Sequence, residues 1–132
     1  MQVPEHYISD VQFFFDGKPL ELALYQTLSE RMAEALPDDV SAKVQKSQIS
    51  FYARRLFAAA SLPVRRKKDW PRECLVVTVG LDRPLNSPRS AVSVEPYPGR
   101  WTNHILITRP EEVDVELMEW LREAHNFALR KR

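Results

Sequence analysis

The heptapeptide Leu75-Val76-Val77-Thr78-Val79-Gly80-Leu81 constrains the fold more than any other stretch of the chain. It is β-branched and almost wholly apolar. Such side chains have restricted χ1 freedom and pack well on a pleated surface, so the run reads as a strand. A strand needs hydrogen-bonding neighbours, and the flanking sequence supplies them. Residues 43–62 read as a hairpin. Its first arm puts Ile49, Phe51 and Ala53 on one face and Gln48, Ser50, Tyr52 and Arg54 on the other. The turn falls near Arg54-Arg55, and the second arm runs from Leu56 to Leu62. Three consecutive alanines in that arm let a bulky element approach closely. Downstream, Ala91 to Glu95 is a short strand. The turn Tyr97-Pro98-Gly99-Arg100 then leads into a strand from Trp101 to Thr108. Residues 63–73 form a basic connection, and residues 82–90 form a loop with two prolines.

Two amphipathic helices bracket these strands. From Pro19 to Leu36, the residues Leu20, Leu24, Leu28 and Met32 recur at every fourth position, and Tyr25, Ala35 and Leu36 widen the stripe. Pro19 is tolerated in a first helical turn, and Pro37 disfavours helical geometry in the residue before it. The final helix aligns Val113, Leu117, Trp120, Leu121, Ala124 and Ala128. Acids crowd its start, and Arg130, Lys131 and Arg132 its end, which suits the helix dipole. Thr108 with Glu111 reads as a capping box, and Asp114 would cap a slightly later start. Residues 1–15 read as an extended lead-in, with Phe13, Phe14 and Phe15 packed on the core. No crossover helix separates the strands, so their pairing should be mostly antiparallel. The expected architecture is α+β: a two-layer sandwich with a four- or five-stranded sheet. Its N-terminal and C-terminal helices pack on one face. The length suits a single domain over residues 1–132, with its core in 14–130.

Charge narrows the partners. The formal net charge is +1, but residues 1–42 carry eight acids and two bases, while residues 43–72 carry nine bases and one acid. That central basic region would attract an anionic ligand or nucleic acid. The single Cys74 excludes an intramolecular disulfide and a cysteine-rich zinc site, and suits a reducing cytoplasm. His6, His104 and His125 have no metal-ligand spacing, so no metal or other cofactor is expected. The N-terminus lacks a signal-peptide pattern, and no apolar run approaches a membrane span.

Three stretches carry a family resemblance: Lys46-x-Gln48-Ile49-Ser50-Phe51 followed by Arg54 and Arg55, Glu95-Pro96-Tyr97-Pro98-Gly99-Arg100-Trp101-Thr102-Asn103-His104, and the ending from Pro110 to Ala124. On these the chain resembles a bacterial family catalogued as domain of unknown function 5655, over most of residues 14–130. The resemblance implies a small domain, found alone or appended to others, and supplies no catalytic residues. The layout is also similar to YjbR-like α+β domains sometimes described as DNA-binding, a likeness of fold alone.

The polar face of the hairpin and that of the last strand supply the candidate ligand site. If the two are neighbours, Lys46, Ser50, Tyr52, Arg54, Arg100 and His104 converge on one pocket suited to phosphate or carboxylate. The competing reading is an ordinary solvated sheet face. Arg65, Arg66, Lys67, Lys68 and Trp70 form a candidate nucleic-acid contact, with Trp70 able to stack on a base. Trp101 is expected to pin its turn to the core instead. His104 is the one candidate acid or base, should the domain catalyse anything. Cys74 reads as a buried thiol. Phosphate-binding glycine loops, zinc-protease motifs and serine-nucleophile motifs are absent. The sequence therefore favours a non-catalytic binding domain for an anionic ligand, nucleic acid among the candidates. Self-association as a homodimer, or another protein interaction, comes second. A small enzyme acting on an anionic metabolite comes third.

Overall fold

The computed structural model describes residues 1–63 and 69–130. Among these, helix α1 (Tyr7–Phe14) and helix α2 (Pro19–Ala35) come first. Strands β1 (Ser41–Val44), β2 (Ile49–Tyr52), β3 (Leu56–Ser61), β4 (Leu75–Leu81), β5 (Ser90–Tyr97) and β6 (Arg100–Ile107) follow, and helix α3 (Val115–Arg130) ends the fold. The strands form one sheet in the order β1-β2-β3-β4-β6-β5 with every pairing antiparallel. The α+β class holds, but the sheet has six strands rather than four or five, and three helices flank it rather than two. No helix among the described residues is long and apolar enough to cross a membrane.

The N-terminal segment corrects the extended reading. Val11 and Phe15 lie four residues apart, which places both on one side of a helix, and both are buried. Phe13 lies between them on the other side and is 84% exposed. The three phenylalanines therefore do not all enter the core. The hydroxyls of Tyr7 and Tyr25, 2.6 Å apart, join α1 to α2.

The core lies between the sheet and the two long helices. Ile49, Phe51, Ala58, Ala60, Val77, Val79, Ile105 and Ile107 bury one face of the sheet against Leu24, Leu28 and Met32 of α2 and Leu117, Leu121 and Ala124 of α3. Burying the valine, leucine, isoleucine, methionine and phenylalanine side chains among these contributes about 1.5–3 kcal/mol each before entropy is counted. The polar Asn103 sits fully buried on this face. Its Oδ1 accepts from the Leu85 backbone N–H at 3.0 Å and from Ser93 Oγ at 2.6 Å, and its Nδ2 donates to the Arg83 carbonyl at 3.2 Å. The loop between β4 and β5 is thereby tied to the sheet.

The start of α3 also differs from expectation. Glu112, not Glu111, reaches back. Its Oε1 accepts from the Thr108 N–H and hydroxyl and from the Arg109 N–H at 2.8, 2.9 and 3.0 Å. Burial opposes ionisation of Glu112, but these bonds outweigh it and hold the carboxyl below its ordinary range. Asp114 caps α3, accepting from the Leu117 N–H at 3.0 Å. Arg89 braces the same corner: it bonds Asp114, Glu116 and the Glu112 carbonyl and lies over the Trp120 ring.

Candidate functional site

Alternation along the strands sends every second side chain to the face away from the helices. Across that open face the register aligns Ala59, Thr78, His104 and Val92 in one row, and Gly80, Thr102 and Val94 in the next. A groove of about 460 Å³ runs over these rows, lined on its polar side by Gln48, Ser61, Thr78, Arg100, Thr102 and His104. Phe57, Leu81, Tyr97, Trp101 and Phe127 supply apolar wall.

The turn Tyr97-Pro98-Gly99-Arg100 sets the end of this groove. Tyr97 pairs with Arg100, and Gly99 adopts φ +75°, the left-handed value that the third residue of such a turn requires. The Gly99 N–H donates to Glu95 Oε2 at 3.0 Å, which restrains the turn. Arg100 and His104 lie on the same side of β6, about 13 Å apart along the strand at its usual rise per residue. His104 is half-buried, and its Nδ1 lies 2.9 Å from Thr78 Oγ1 on the neighbouring strand. Burial pushes its pKa below the ordinary histidine value, which favours the neutral ring. With Nδ1 engaged, Nε2 is the nitrogen left for another partner.

The sheet order decides which expected residues meet. Strand β2, which carries the hairpin's first arm, is separated from β6 by β3 and β4, so the two polar faces are not neighbours. Arg100 and His104 share the groove. Trp70 and His104 line an adjoining depression of about 310 Å³, with Gln48 and Ser61 common to both. Ser50 is buried instead of lining a pocket. Its hydroxyl donates to Gln45 Oε1 and accepts from Gln48 Nε2, so its one donor is committed within the β1–β2 turn. Lys46 is exposed in that turn and borders a different hollow, beside Asp10, Phe13 and Leu62. Tyr52 pairs with Ser41 of β1, and Arg54 is exposed in the β2–β3 turn. The six candidates thus do not converge on one pocket. Arg65, Arg66, Lys67 and Lys68 lie outside the described residues.

Two aromatic and thiol readings also meet the structure. Trp101 is half-buried and lines the groove rather than anchoring the turn in the core. Cys74 is buried, with Sγ 3.9 Å from the Pro71 carbonyl oxygen. Sequence reasoning missed Thr78 and Gly80 as groove residues. The signal was present: they break the apolar run of β4 at positions two apart, which share one face. Away from the groove, buried His125 places Nε2 2.9 Å from Asp39 Oδ1, tying α3 to the segment after α2. Among the described residues, no group of histidine, cysteine and acidic side chains could hold a metal ion.

The family model described as a domain of unknown function (DUF5655) matches residues 12–128, and the chain belongs to that family. No curated protein and no solved structure matches the chain.

Proposed function

We propose that this DUF5655 domain binds a small anionic molecule in the groove on the open face of its sheet. Arg100 is the charged contact, and His104 is a hydrogen-bonding wall. The observation that supports this reading is the sharing of one groove by Arg100 and His104 on the same face of β6. A guanidinium matches carboxylate and phosphate oxygens with paired N–H donors. Among the described residues lining the groove no carboxylate stands, so an anion there meets no like charge on the walls. The nearby Glu95 is engaged with the Gly99 N–H. The volume of about 460 Å³ falls in the range of small-molecule sites and favours a compact ligand over a polymer. Binding rather than catalysis is favoured because His104 is partnered by a threonine hydroxyl, not by a carboxylate that would activate it.

Calorimetric titration with inorganic phosphate, benzoate and phenyl phosphate tests this. Wild-type protein should bind at least one of them. Arg100→Ala should weaken that binding about 10- to 100-fold, the usual loss for a charge-assisted hydrogen bond. Equal affinity in the variant would overturn the assignment of Arg100. A single-stranded oligonucleotide that bound with a steep salt dependence, and lost affinity on Trp70→Ala but not on Arg100→Ala, would replace the small-ligand reading by nucleic-acid binding.

A further inference from the structure

Gly80 sharpens the chemistry of the ligand, on the premise that the groove binds an anion. A glycine inside a strand costs about 0.5–1 kcal/mol relative to alanine, so some feature should require it. Three structural reasons fail here. The backbone does not need glycine, since positive φ occurs at Gly17 and Gly99 but not at Gly80. A bulge is not present either: β4 pairs with β6 in unbroken register from Leu75 to Leu81, with Gly80 opposite Thr102. Protein packing does not exclude a side chain, because an added Cβ would meet only the Phe57 carbonyl oxygen, at 3.5 Å, an ordinary contact. The remaining role of a strand glycine is to let a ligand or another backbone approach closely.

The position of Gly80 says what kind of ligand. It lines the groove together with Tyr97 and Trp101. Its partner Thr102 lies midway along β6 between Arg100 and His104, about 7 Å from each at the usual strand rise. That separation is the reach of one or two fused rings carrying a substituent at each end. We propose that a planar ring of the ligand lies on the backbone at Gly80. Its anionic substituent turns toward Arg100, and a hydrogen-bonding group turns toward His104. The ligand class is therefore an aryl or heteroaryl carboxylate or phosphate. Gly80 is its specificity-determining residue, because a methyl group there lifts the ring off the sheet and away from both contacts.

The experiment compares wild type and Gly80→Ala by calorimetry, with phenyl phosphate and inorganic phosphate as probes and thermal melting as a check of folding. Gly80→Ala should melt at or above the wild-type temperature. It should lose about tenfold in affinity for phenyl phosphate, the effect of one badly placed methyl group in a close-packed site, and keep its affinity for inorganic phosphate. Equal affinity of both proteins for phenyl phosphate would overturn the role of Gly80. Wild-type protein that binds the two probes equally well would remove the planar ring while leaving the anion site standing. If wild type binds neither probe, the anion site and the ring fall together.

Discussion

The two faces of the same sheet are built to different rules. On the helix side, Ile49, Phe51, Val77, Val79, Ile105 and Ile107 are buried against α2 and α3, and the polar Asn103 buried among them has its hydrogen bonds satisfied. On the open side, the interleaved positions Thr78, Gly80, Thr102 and His104 are small or polar and leave a groove. The residues alternate along the same strands, so local conformation cannot account for the contrast. Packing explains the apolar residues of the helix side: each side chain fills volume that would otherwise be void. It does not explain the open side, where Gly80 leaves space that a methyl group could occupy.

Substitutions should expose this asymmetry. The largest effect is expected at Phe51, fully buried and stacked against Tyr25. Phe51→Ala should cost about 3–5 kcal/mol in denaturant unfolding. A loss as small as that of a surface change would mean the helix side is not close-packed. Next comes Asn103→Leu, which keeps the branching and the heavy-atom count but leaves the Leu85 N–H and the Arg83 carbonyl without their partner. It should cost about 1–3 kcal/mol and speed hydrogen exchange at the Leu85 amide. Unchanged exchange there would show that the β4–β5 loop is held by something else. The smallest effect belongs to His104 on the open side. Burial lowers its folded pKa below the ordinary 6.5. As pH falls from that value toward the folded pKa, the unfolded chain takes up the proton first, so stability declines in that window and is fully present above it. His104→Gln should flatten this part of the pH–stability curve. A wild-type curve already flat there would show that the ring titrates as it does in water.

The helix side was the legible half of the sequence. The four-residue recurrence of Leu20, Leu24, Leu28 and Met32 and the stripe from Leu117 to Ala128 report burial directly, and the β-branched run of β4 left one reading. The short elements were harder. β1 spans four residues and fully buries only Ala42, too little for a pattern. α1 was hidden because three successive phenylalanines fit alternation as well as a helical turn. The open side was only partly legible, because strand neighbours are not written in a sequence. Alternation placed Thr102 and His104 on one face, as found, but could not show that two strands separate them from β2. The burial of Ser50 under Gln45 and Gln48 depends on a turn that leaves no pattern in apolar residues.

Because β6 lies between β4 and β5, the sheet cannot be completed in the order in which it is synthesised. Strands β1 to β4 zip as a meander of neighbours, each closing a modest loop. β5 is an edge strand paired with β6, and it is β6 that joins this hairpin to β4, bringing Thr78 and His104 together across 26 residues of chain. The groove lies along that last seam. Its polar wall joins Thr78 of β4 to Arg100, Thr102 and His104 of β6, so the groove exists only where the β5–β6 hairpin is seated along β4.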